Sequence, residues 1–225
     1  MQAVILAGGQ GTRLRPLTYL EPKPMIRIGV YPFLEYVIRL LKKNKIANLV
    51  ICTGYLGGQI KKYFGDGAAF GVNIEYSHEV IPAGTGGSLK LAKNLLGEDF
   101  FIVNGDTYLD IDYLELYKLF KRSNRLMMMV VCEAEKANCK IGQRGDLIEY
   151  SKLGFDSVYI DAGVSVMNKG IFNLFPDKYF ISFEKEVLPK LISERQVKTY
   201  VSKNRFYDIG TFSGLQKFKK EMVGV

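Results

Sequence analysis

The sequence predicts an α/β fold with a Rossmann-like mixed, mainly parallel sheet and helices on both faces. Short apolar runs bounded by glycine or polar residues are typical of buried strands, and they occur at 3–7, 49–53, 72–77 and 100–103. Segments with apolar residues at helical spacing lie between these runs. Strands that alternate with helices favour parallel pairing, because each connection has to cross the sheet before the next strand begins. The hydrophobic fraction, 48% of 225 residues, is ordinary for one globular core.

The predicted helices follow these strands in order. The first, at 32–44, places Phe33, Val37 and Leu41 on one face. Others are predicted at 59–64, 84–96 and 111–122. From residue 126 onward strands dominate, at 126–132, 145–150 and 159–167, and the helices come late, at 183–193 and 212–222. Because the second half has no linker before it, we expect one domain over 1–225, with halves at 1–125 and 126–225 that do not fold independently.

Composition disfavours several classes of protein. The net charge is +8, from 31 Lys and Arg against 23 Asp and Glu, but the cations are scattered along predicted helices without interleaved aromatic residues, so we expect no nucleic-acid partner. Cys52, Cys132 and Cys139 have no C-x-x-C spacing, which disfavours disulfides and a zinc site. No apolar run approaches the roughly 20 residues that span a bilayer, and no signal-peptide pattern is present. We expect a cytoplasmic protein with no membrane partner.

The stretch at 4–25, VILAGGQGTRLRPLTYLEPKPM, ends the first strand in a glycine-rich loop. Its three glycines let the backbone approach a ligand closely, and successive N–H groups in such a loop form a concave site for anions. Arg13 and Lys23 add positive charge, and a proline on each side of Lys23 stiffens its backbone. The P-loop ending Gly-Lys-Ser/Thr is absent, and Leu14 replaces the third glycine of the dinucleotide fingerprint. We predict a triphosphate cradle, with a basic surface turn as the alternative.

The residues at 8–25 resemble the signature of the sugar-1-phosphate nucleotidylyltransferases, GG-x-GTRL-x-P-x-T followed by PKPM. Within that family the chain is most similar to the short guanylyltransferases that act on heptose 1-phosphate or mannose 1-phosphate. The resemblance implies the nucleotide-diphospho-sugar transferase fold, with a nucleotide-binding half at 1–125 and a sugar-phosphate-binding half at 126–225. It also implies the reaction: a sugar 1-phosphate attacks the α-phosphorus of a nucleoside triphosphate and releases pyrophosphate.

The resemblance assigns catalytic roles to two cations of the loop. Arg13 is expected on the β- and γ-phosphates, and Lys23 on the α-phosphate and the attacking phosphate, because the reaction depends on positioning and charge neutralisation. The remaining nucleotide contacts that we expect are Leu6, Ala7, Gly8, Gly9, Gly11, Thr12, Glu79, Gly84, Thr85 and Asn104.

Two aspartates follow predicted strands in the motifs NGD at 104–106 and DIGT at 208–211. The resemblance makes Asp106 and Asp208 a metal pair, and carboxylate oxygens completed by phosphate and water suit Mg²⁺. Mg²⁺ is therefore the expected cofactor. For Asp208 the alternative is a cap on the helix that starts near Thr211.

Glu79 stands five residues before Gly84, the first of the glycines at 84, 86 and 87. Relatives that use UTP or dTTP commonly have Gln at the position of Glu79. A guanine edge presents a ring N–H beside an amino group, and an acceptor-only carboxylate matches both donors. The residue therefore favours GTP, while a solvated Glu79 with UTP as the substrate stays open. His78, the only histidine, is expected at the surface without a catalytic role.

For the sugar phosphate we expect contacts from Gly105, Asn138, Lys152, Asp161, Gly163 and Glu184. Glu184 would accept protons from sugar hydroxyls, or else stabilise a helix N-terminus. Lys152 matches the family lysine only after a shift of one position, so either it or a neighbour holds the phosphate.

We therefore predict a Mg²⁺-dependent enzyme that joins GTP to D-glycero-D-manno-heptose 1-phosphate or mannose 1-phosphate, with a homodimer left open. A uridylyl- or thymidylyltransferase acting on a hexose or amino sugar 1-phosphate is the rival within the class. A non-catalytic nucleotide-sugar-binding subunit is the rival outside it, and the intact cations and carboxylates argue against that alternative.

Overall fold

The computed structural model describes residues 1–151 and 157–224 in full and the backbone alone of 152–155. The strands are β1 (Gln2–Leu6), β2 (Arg27–Ile28), β3 (Tyr31–Pro32), β4 (Asn48–Thr53), β5 (Asn73–His78), β6 (Asp99–Asn104), β7 (Thr107–Leu109), β8 (Met127–Glu133), β9 (Ala137–Ile141), β10 (Leu147–Phe155), β11 (Tyr159–Asn168), β12 (Val197–Ser202) and β13 (Phe206–Asp208). The α-helices are α1 (Phe33–Lys43), α2 (Gly57–Phe64), α3 (Gly84–Ala92), α4 (Tyr113–Ser123), α5 (Leu188–Ser193) and α6 (Phe212–Val223).

Within the described residues, a nine-stranded mixed sheet forms the centre of the fold. Strands β6, β1, β4 and β5 are parallel neighbours and come from the first half of the chain. Strand β11 joins the second half to them, because it pairs antiparallel with β6 and with β8 and β9. The predicted α/β class with a mixed sheet is confirmed.

The sheet has a hydrophobic core on each face, because successive residues of a strand point to opposite sides. In β1, Val4 belongs to the core that contains Leu89 of α3, whereas Ile5 belongs to the core that contains Leu34 of α1. Each such buried side chain contributes about 1.5–3 kcal/mol relative to exposure. Because the parallel strands are packed on both faces by these two cores, the positions of their carboxyl ends are fixed.

The long helices lie where the sequence predicts them, and the exceptions have local causes. The segment predicted as one helix at 183–193 is a π-helical turn, Phe183–Val187, followed by α5. Pro189 lies in the first turn of α5, where its missing N–H needs no partner. Sequence periodicity misses β2, β3, β7, β9, β12 and β13, and four of these six have only two or three residues.

In the part of the chain that the structure describes, every helix is too short or too polar to cross a bilayer.

Asp99 joins the amino end of β6 to α4 and β11. Its carboxylate accepts hydrogen bonds from Lys121 at 2.6 Å, Asn168 at 2.8 Å and Tyr117 at 3.0 Å. Burial raises the pKa of Asp99, but the three donors outweigh burial and hold the pKa below its ordinary 3.8. A lowered folded-state pKa stabilises the fold above the ordinary value, and this contribution is lost as the pH falls through the folded-state pKa.

We expect Asp99→Asn to lower the free energy of unfolding by about 1–3 kcal/mol at neutral pH, and the deficit to shrink as the pH falls below 3.8. Urea unfolding of both proteins at neutral pH and at about pH 3 measures the effect. The control is Asp110→Asn, because Asp110 pairs with the exposed Lys43 at 3.1 Å and such surface pairs contribute little. If the loss in free energy of unfolding caused by Asp99→Asn did not change with pH, the ionised Asp99 carboxylate would not be the stabilising group.

Candidate active site

A cleft of about 930 Å³ lies at the carboxyl ends of the parallel strands β1, β4, β5 and β6. Ligands of open α/β sheets bind at this edge, because the loops that follow the strands converge there. Most of the residues predicted from the sequence line the cleft, namely Leu6, Ala7, Gly8, Gly9, Thr12, Arg13, Lys23, Glu79, Gly84, Thr85, Asn104, Gly105, Asp106 and Glu184. The structure thus brings three separate loops of the first half together with one segment of the second.

Gly8 occupies a point where two loops approach each other. Its carbonyl accepts a hydrogen bond from the Tyr55 N–H at 3.2 Å. A Cβ atom at this position would lie 2.9 Å from Glu79 Oε1 and 3.3 Å from the Gly54 nitrogen. Glycine at position 8 therefore leaves room for the Glu79 carboxylate at the cleft.

Lys23 lies on a short 3₁₀ turn, Lys23–Met25, that begins after Pro22. The turn is fixed by burial of Pro24 and Met25. The Lys23 ammonium forms an ion pair with Asp106, and each side chain is 17% exposed. The lysine thus faces the cleft beside a carboxylate rather than projecting into solvent.

Arg13 approaches the second carboxylate. A Cβ atom added to Gly210 would lie 2.6 Å from Arg13 Nη2 and 2.8 Å from Asp208 Oδ1, so the guanidinium and the carboxylate are close together there. Arg13, Lys23 and Asp106 therefore line one end of the cleft, and Asp208 lies beside the Arg13 guanidinium.

Asp208 reaches this place through a two-stranded sheet. Strand β13 pairs antiparallel with β7, with Asp208 opposite Thr107, and the Ile209 N–H donates to the Asp106 carbonyl at 3.0 Å. Burial raises the pKa of Asp208, and the charge of Asp106 raises it further against the opposing effects of the Gly210 N–H and the nearby cations. The two carboxylates are therefore close enough to repel each other.

The helix α6 does not use Asp208 as its cap. Thr211 is the N-cap, and its hydroxyl oxygen accepts from the Gly214 N–H at 3.1 Å. Asp208 Oδ1 accepts instead from the Gly210 N–H at 2.6 Å, which is an Asx turn. The structure therefore does not support a capping role as the alternative for Asp208.

The two aspartates fit a magnesium ion better than a transition metal. Among the described residues, no group of three or more His, Cys, Asp and Glu side chains could hold a metal by itself. Mg²⁺ is usually bound by one or two carboxylates and takes its other ligands from phosphates and water. Burial and the charge of Asp106 raise the pKa of Asp208, and a divalent cation bound by the two carboxylates would offset their repulsion.

At the other end of the cleft, Glu79 is held by two donors. Its Oε2 accepts from the Ser88 hydroxyl at 2.5 Å and from the Ala83 N–H at 3.2 Å. Beneath it, burial and the charge of Glu79 raise the pKa of the Cys52 thiol to about 12. The described hydrogen bonds of Glu79 all fall on Oε2, whereas Oε1 lies beside Gly8 and Gly54 in the lining of the cleft.

A smaller hollow adjoins the cleft and contains Asp161, Gly163 and Ser165. It shares four lining residues with the cleft, namely Leu6, Thr85, Asn104 and Glu184. Gly163 has a φ of +71°, and a Cβ atom there would lie 2.6 Å from Thr107 Oγ1, so the backbone of β11 can approach β7 only with glycine. The expected sugar-contacting residues Asp161, Gly163 and Glu184 thus meet around one space.

Four predicted residues are not among the described lining of either space. One is Asp208, whose position beside Arg13 is given above, and the others are Gly11, Asn138 and Lys152. Gly11 precedes the 3₁₀ turn Thr12–Leu14, with a φ of +62°, and shapes the loop. Asn138 Oδ1 accepts from the Asp161 N–H at 2.8 Å, so Asn138 supports Asp161 from behind. The side chain of Lys152 lies outside the described residues.

The sequence reasoning missed residues whose partners are distant in the chain. Ser88 and Phe180 line the cleft, and Phe180 is 56% exposed there. Burial raises the pKa of Tyr150, as do the charges of Asp161 and Glu184, which places this tyrosine near the sugar end. Of Ser88, Phe180 and Tyr150, only Ser88 lies next to a sequence motif, because it directly follows the glycines at 84–87.

Comparison with known proteins gives consistent results. The family model described as nucleotidyl transferase matches residues 2–223. The chain is 34% identical to the D-glycero-alpha-D-manno-heptose 1-phosphate guanylyltransferase of Aneurinibacillus thermoaerophilus, over 99% of this chain and 98% of that protein. It is 33% identical to the mannose-1-phosphate guanylyltransferase of Mycobacterium tuberculosis, over 93% of this chain and 61% of that protein.

A solved structure has the same fold. The crystal structure of HddC from Yersinia pseudotuberculosis complexed with GMP-PN superposes with a TM-score of 0.84 and 27% sequence identity, over 98% of each chain.

Proposed function

This chain belongs to the nucleotidyl transferase family, and on that premise we propose that it transfers the guanylyl group of GTP to a sugar 1-phosphate and releases pyrophosphate. D-glycero-D-manno-heptose 1-phosphate and mannose 1-phosphate are the proposed acceptors. The observation that carries the proposal is one cleft lined by Arg13, Lys23 and Asp106 and also by Glu79, with Glu184 shared between the cleft and the adjoining hollow.

The relatives support guanine as the base. Both curated relatives described above are named guanylyltransferases, and the HddC crystal contains GMP-PN. In this chain, Glu79 Oε1 would accept from the guanine N1–H and amino group, since a carboxylate has no donor to offer the carbonyls of uracil.

The proposed reaction needs positioning more than proton transfer. A phosphate oxygen of the sugar 1-phosphate forms a bond to the α-phosphorus, and the bond from that phosphorus to the pyrophosphate oxygen breaks with its electron pair. In this proposal Lys23 would hold the attacking phosphate and the α-phosphate, which are both anions and would otherwise repel each other. Arg13 would stabilise the negative charge that develops on the leaving pyrophosphate.

We propose Mg²⁺ as the cofactor, held by Asp106 and Asp208. The ion would neutralise the triphosphate and the developing negative charge. For the chain itself, this means that Lys23 exchanges its ion pair with Asp106 for contacts to phosphate when substrate binds.

The replacement Glu79→Gln tests the choice of base. We expect this variant to lose about tenfold in kcat/KM with GTP and to lose less with UTP, because an amide presents one donor where guanine requires an acceptor. Steady-state pyrophosphate release with each nucleotide measures the ratio. Equal losses with GTP and UTP would remove Glu79 from the base site and would favour the rival uridylyltransferase.

The enzymatic function itself is tested by pyrophosphate release from the four common nucleoside triphosphates with a panel of sugar 1-phosphates. We expect turnover with GTP and a manno-configured sugar 1-phosphate. Tight binding of GDP-sugar without turnover would favour a non-catalytic binding subunit instead. A cytoplasmic location and a homodimer stay predictions.

A further inference from the structure

One helix carries hydroxyl groups to two glutamates that line the cleft. In α3, Ser88 donates to Glu79 Oε2 at 2.5 Å. Thr85, three residues earlier, donates to Glu184 Oε2 at 3.0 Å. Glu79 comes from the end of β5, whereas Glu184 comes from the π-helical turn Phe183–Val187, far along the chain.

We propose that Ser88 and Thr85 are positioning residues that set the selectivity of the reaction: Ser88 for the guanine base, through Glu79, and Thr85 for the sugar, through Glu184. This inference rests on the proposed function, because it gives each glutamate a ligand. It makes α3 a common support for both recognition groups.

At the base end, Ser88 restricts a side chain that would otherwise be mobile. A glutamate loses conformational entropy when it is held in one rotamer, and the Ser88 hydroxyl holds Glu79 before the ligand arrives. The Ala83 N–H at 3.2 Å gives a second, longer contact to the same oxygen. With Oε2 fixed, Oε1 stays beside Gly8 and Gly54, where a Cβ atom on either glycine would lie 2.9 Å from it, so the two glycines leave room for the carboxylate at the cleft.

At the sugar end, Thr85 holds a whole segment as well as one carboxylate. Its hydroxyl oxygen also accepts from the Phe183 N–H at 3.1 Å. The Gly86 and Gly87 N–H groups donate to the Ile181 carbonyl at 2.9 and 3.2 Å. The segment that carries Glu184 is therefore attached to α3 at several points. The Thr85 hydroxyl shares Glu184 Oε2 with the Ser182 hydroxyl, which donates at 3.1 Å from within the segment, so Thr85 is the contact that ties the carboxylate to α3.

The base arm of the test uses Ser88→Ala, with GTP and ITP as probes. ITP lacks the 2-amino group of guanine, from which the Glu79 carboxylate would accept a hydrogen bond. We expect the wild type to prefer GTP and Ser88→Ala to lose about five- to tenfold of that preference, as expected when one typical hydrogen bond is removed. The loss should appear in KM for GTP, with kcat nearly unchanged. Ser88→Thr, which keeps the hydroxyl, should restore the preference.

The sugar arm uses Thr85→Val, with mannose 1-phosphate and its C2 epimer glucose 1-phosphate as probes. Valine keeps the branched shape of threonine without the hydroxyl. We expect about a five- to tenfold loss of the preference between the two sugars, with the ratio of GTP to ITP retained. Thr85→Ser should restore the sugar preference.

Each variant is the matched control for the other, because both remove one hydroxyl from the same helix. Ser193→Ala removes a hydroxyl that contacts the Lys190 carbonyl in α5, outside the cleft, and should change neither ratio. The inference is overturned if Ser88→Ala keeps the wild-type ratio of GTP to ITP, or if both variants change both ratios alike. If the wild type itself releases no pyrophosphate from GTP with either proposed acceptor, the proposed function fails and the inference falls with it.

Discussion

Replacement of Lys23 by alanine is expected to lower kcat/KM for pyrophosphate release by about 10²–10³, the loss that follows removal of one charge-stabilising donor from an active site. In the proposed reaction the ammonium would lie between the attacking phosphate and the α-phosphate, and in the structure it is the counterion of Asp106. Without it, two polyanions and two carboxylates would have to approach each other with less compensating charge. The loss should lie mainly in kcat, since positioning of the reacting atoms is affected.

The matched control for this variant is Lys43→Ala. Lys43 also pairs with an aspartate, Asp110, at 3.1 Å, but its side chain is 70% exposed and lies away from the cleft. We expect unchanged turnover from it, because exposed pairs contribute little. Circular dichroism and thermal unfolding of both variants check that the fold is kept. Near-normal turnover of Lys23→Ala would remove the lysine from the reaction.

Asp208→Asn is expected to abolish most Mg²⁺-dependent turnover, by about 10² or more, while the apo protein keeps its stability. The amide keeps the oxygen that accepts from the Gly210 N–H, but it loses the charge that would bind the cation. Burial and the charge of Asp106 raise the pKa of Asp208, so its ionised form is disfavoured in the fold.

The raised pKa of Asp208 determines whether Asp208→Asn raises or lowers the free energy of unfolding. A carboxyl group with a raised folded-state pKa stabilises the fold below its ordinary pKa, and this contribution is lost as the pH rises through the folded-state value. At neutral pH the ionised Asp208 therefore works against folding, and Asp208→Asn should leave the unfolding midpoint equal or higher. Mg²⁺ should raise the midpoint of the wild type more than that of the variant, which is a readout independent of turnover.

Asp112→Ala is the opposite case and serves as the control. Asp112 is the N-cap of α4, and its Oδ1 accepts from the Glu115 N–H at 2.9 Å. Loss of such a cap costs about 0.5–2 kcal/mol of stability, whereas turnover per folded molecule should be unchanged. If Asp208→Asn behaved like Asp112→Ala, with lower stability and normal turnover, Asp208 would be a structural residue.

The core of the fold could be predicted from the sequence because its elements are long and periodic. The strands β1, β4, β5 and β6 and the helices α1 and α4 lie within two residues of their predicted bounds. Periodicity does not reach the pair β7 and β13, since a strand of three residues contains too few positions to show alternation. The pairing of these two strands is nevertheless what places Asp208 beside Asp106.

The candidate site was predictable where a motif carries the chemistry in consecutive residues. Arg13 and Lys23 lie in the cleft as the glycine-rich stretch indicated. Contacts that depend on a side-chain direction were not predictable. A serine in a helix has many possible partners, and only the folded chain shows that the Ser88 hydroxyl reaches Glu79, nine residues away. Asn138 was expected at the sugar, but its amide oxygen is used by the Asp161 backbone.

The short ribbon formed by β7 and β13 has a consequence for biosynthesis. The ribosome makes the glycine-rich loop, Lys23 and Asp106 before it makes Asp208. The second carboxylate reaches its place only when 206–208 have left the ribosomal exit tunnel and can pair with 107–109. The polypeptide is therefore expected to become active only after this pairing has formed.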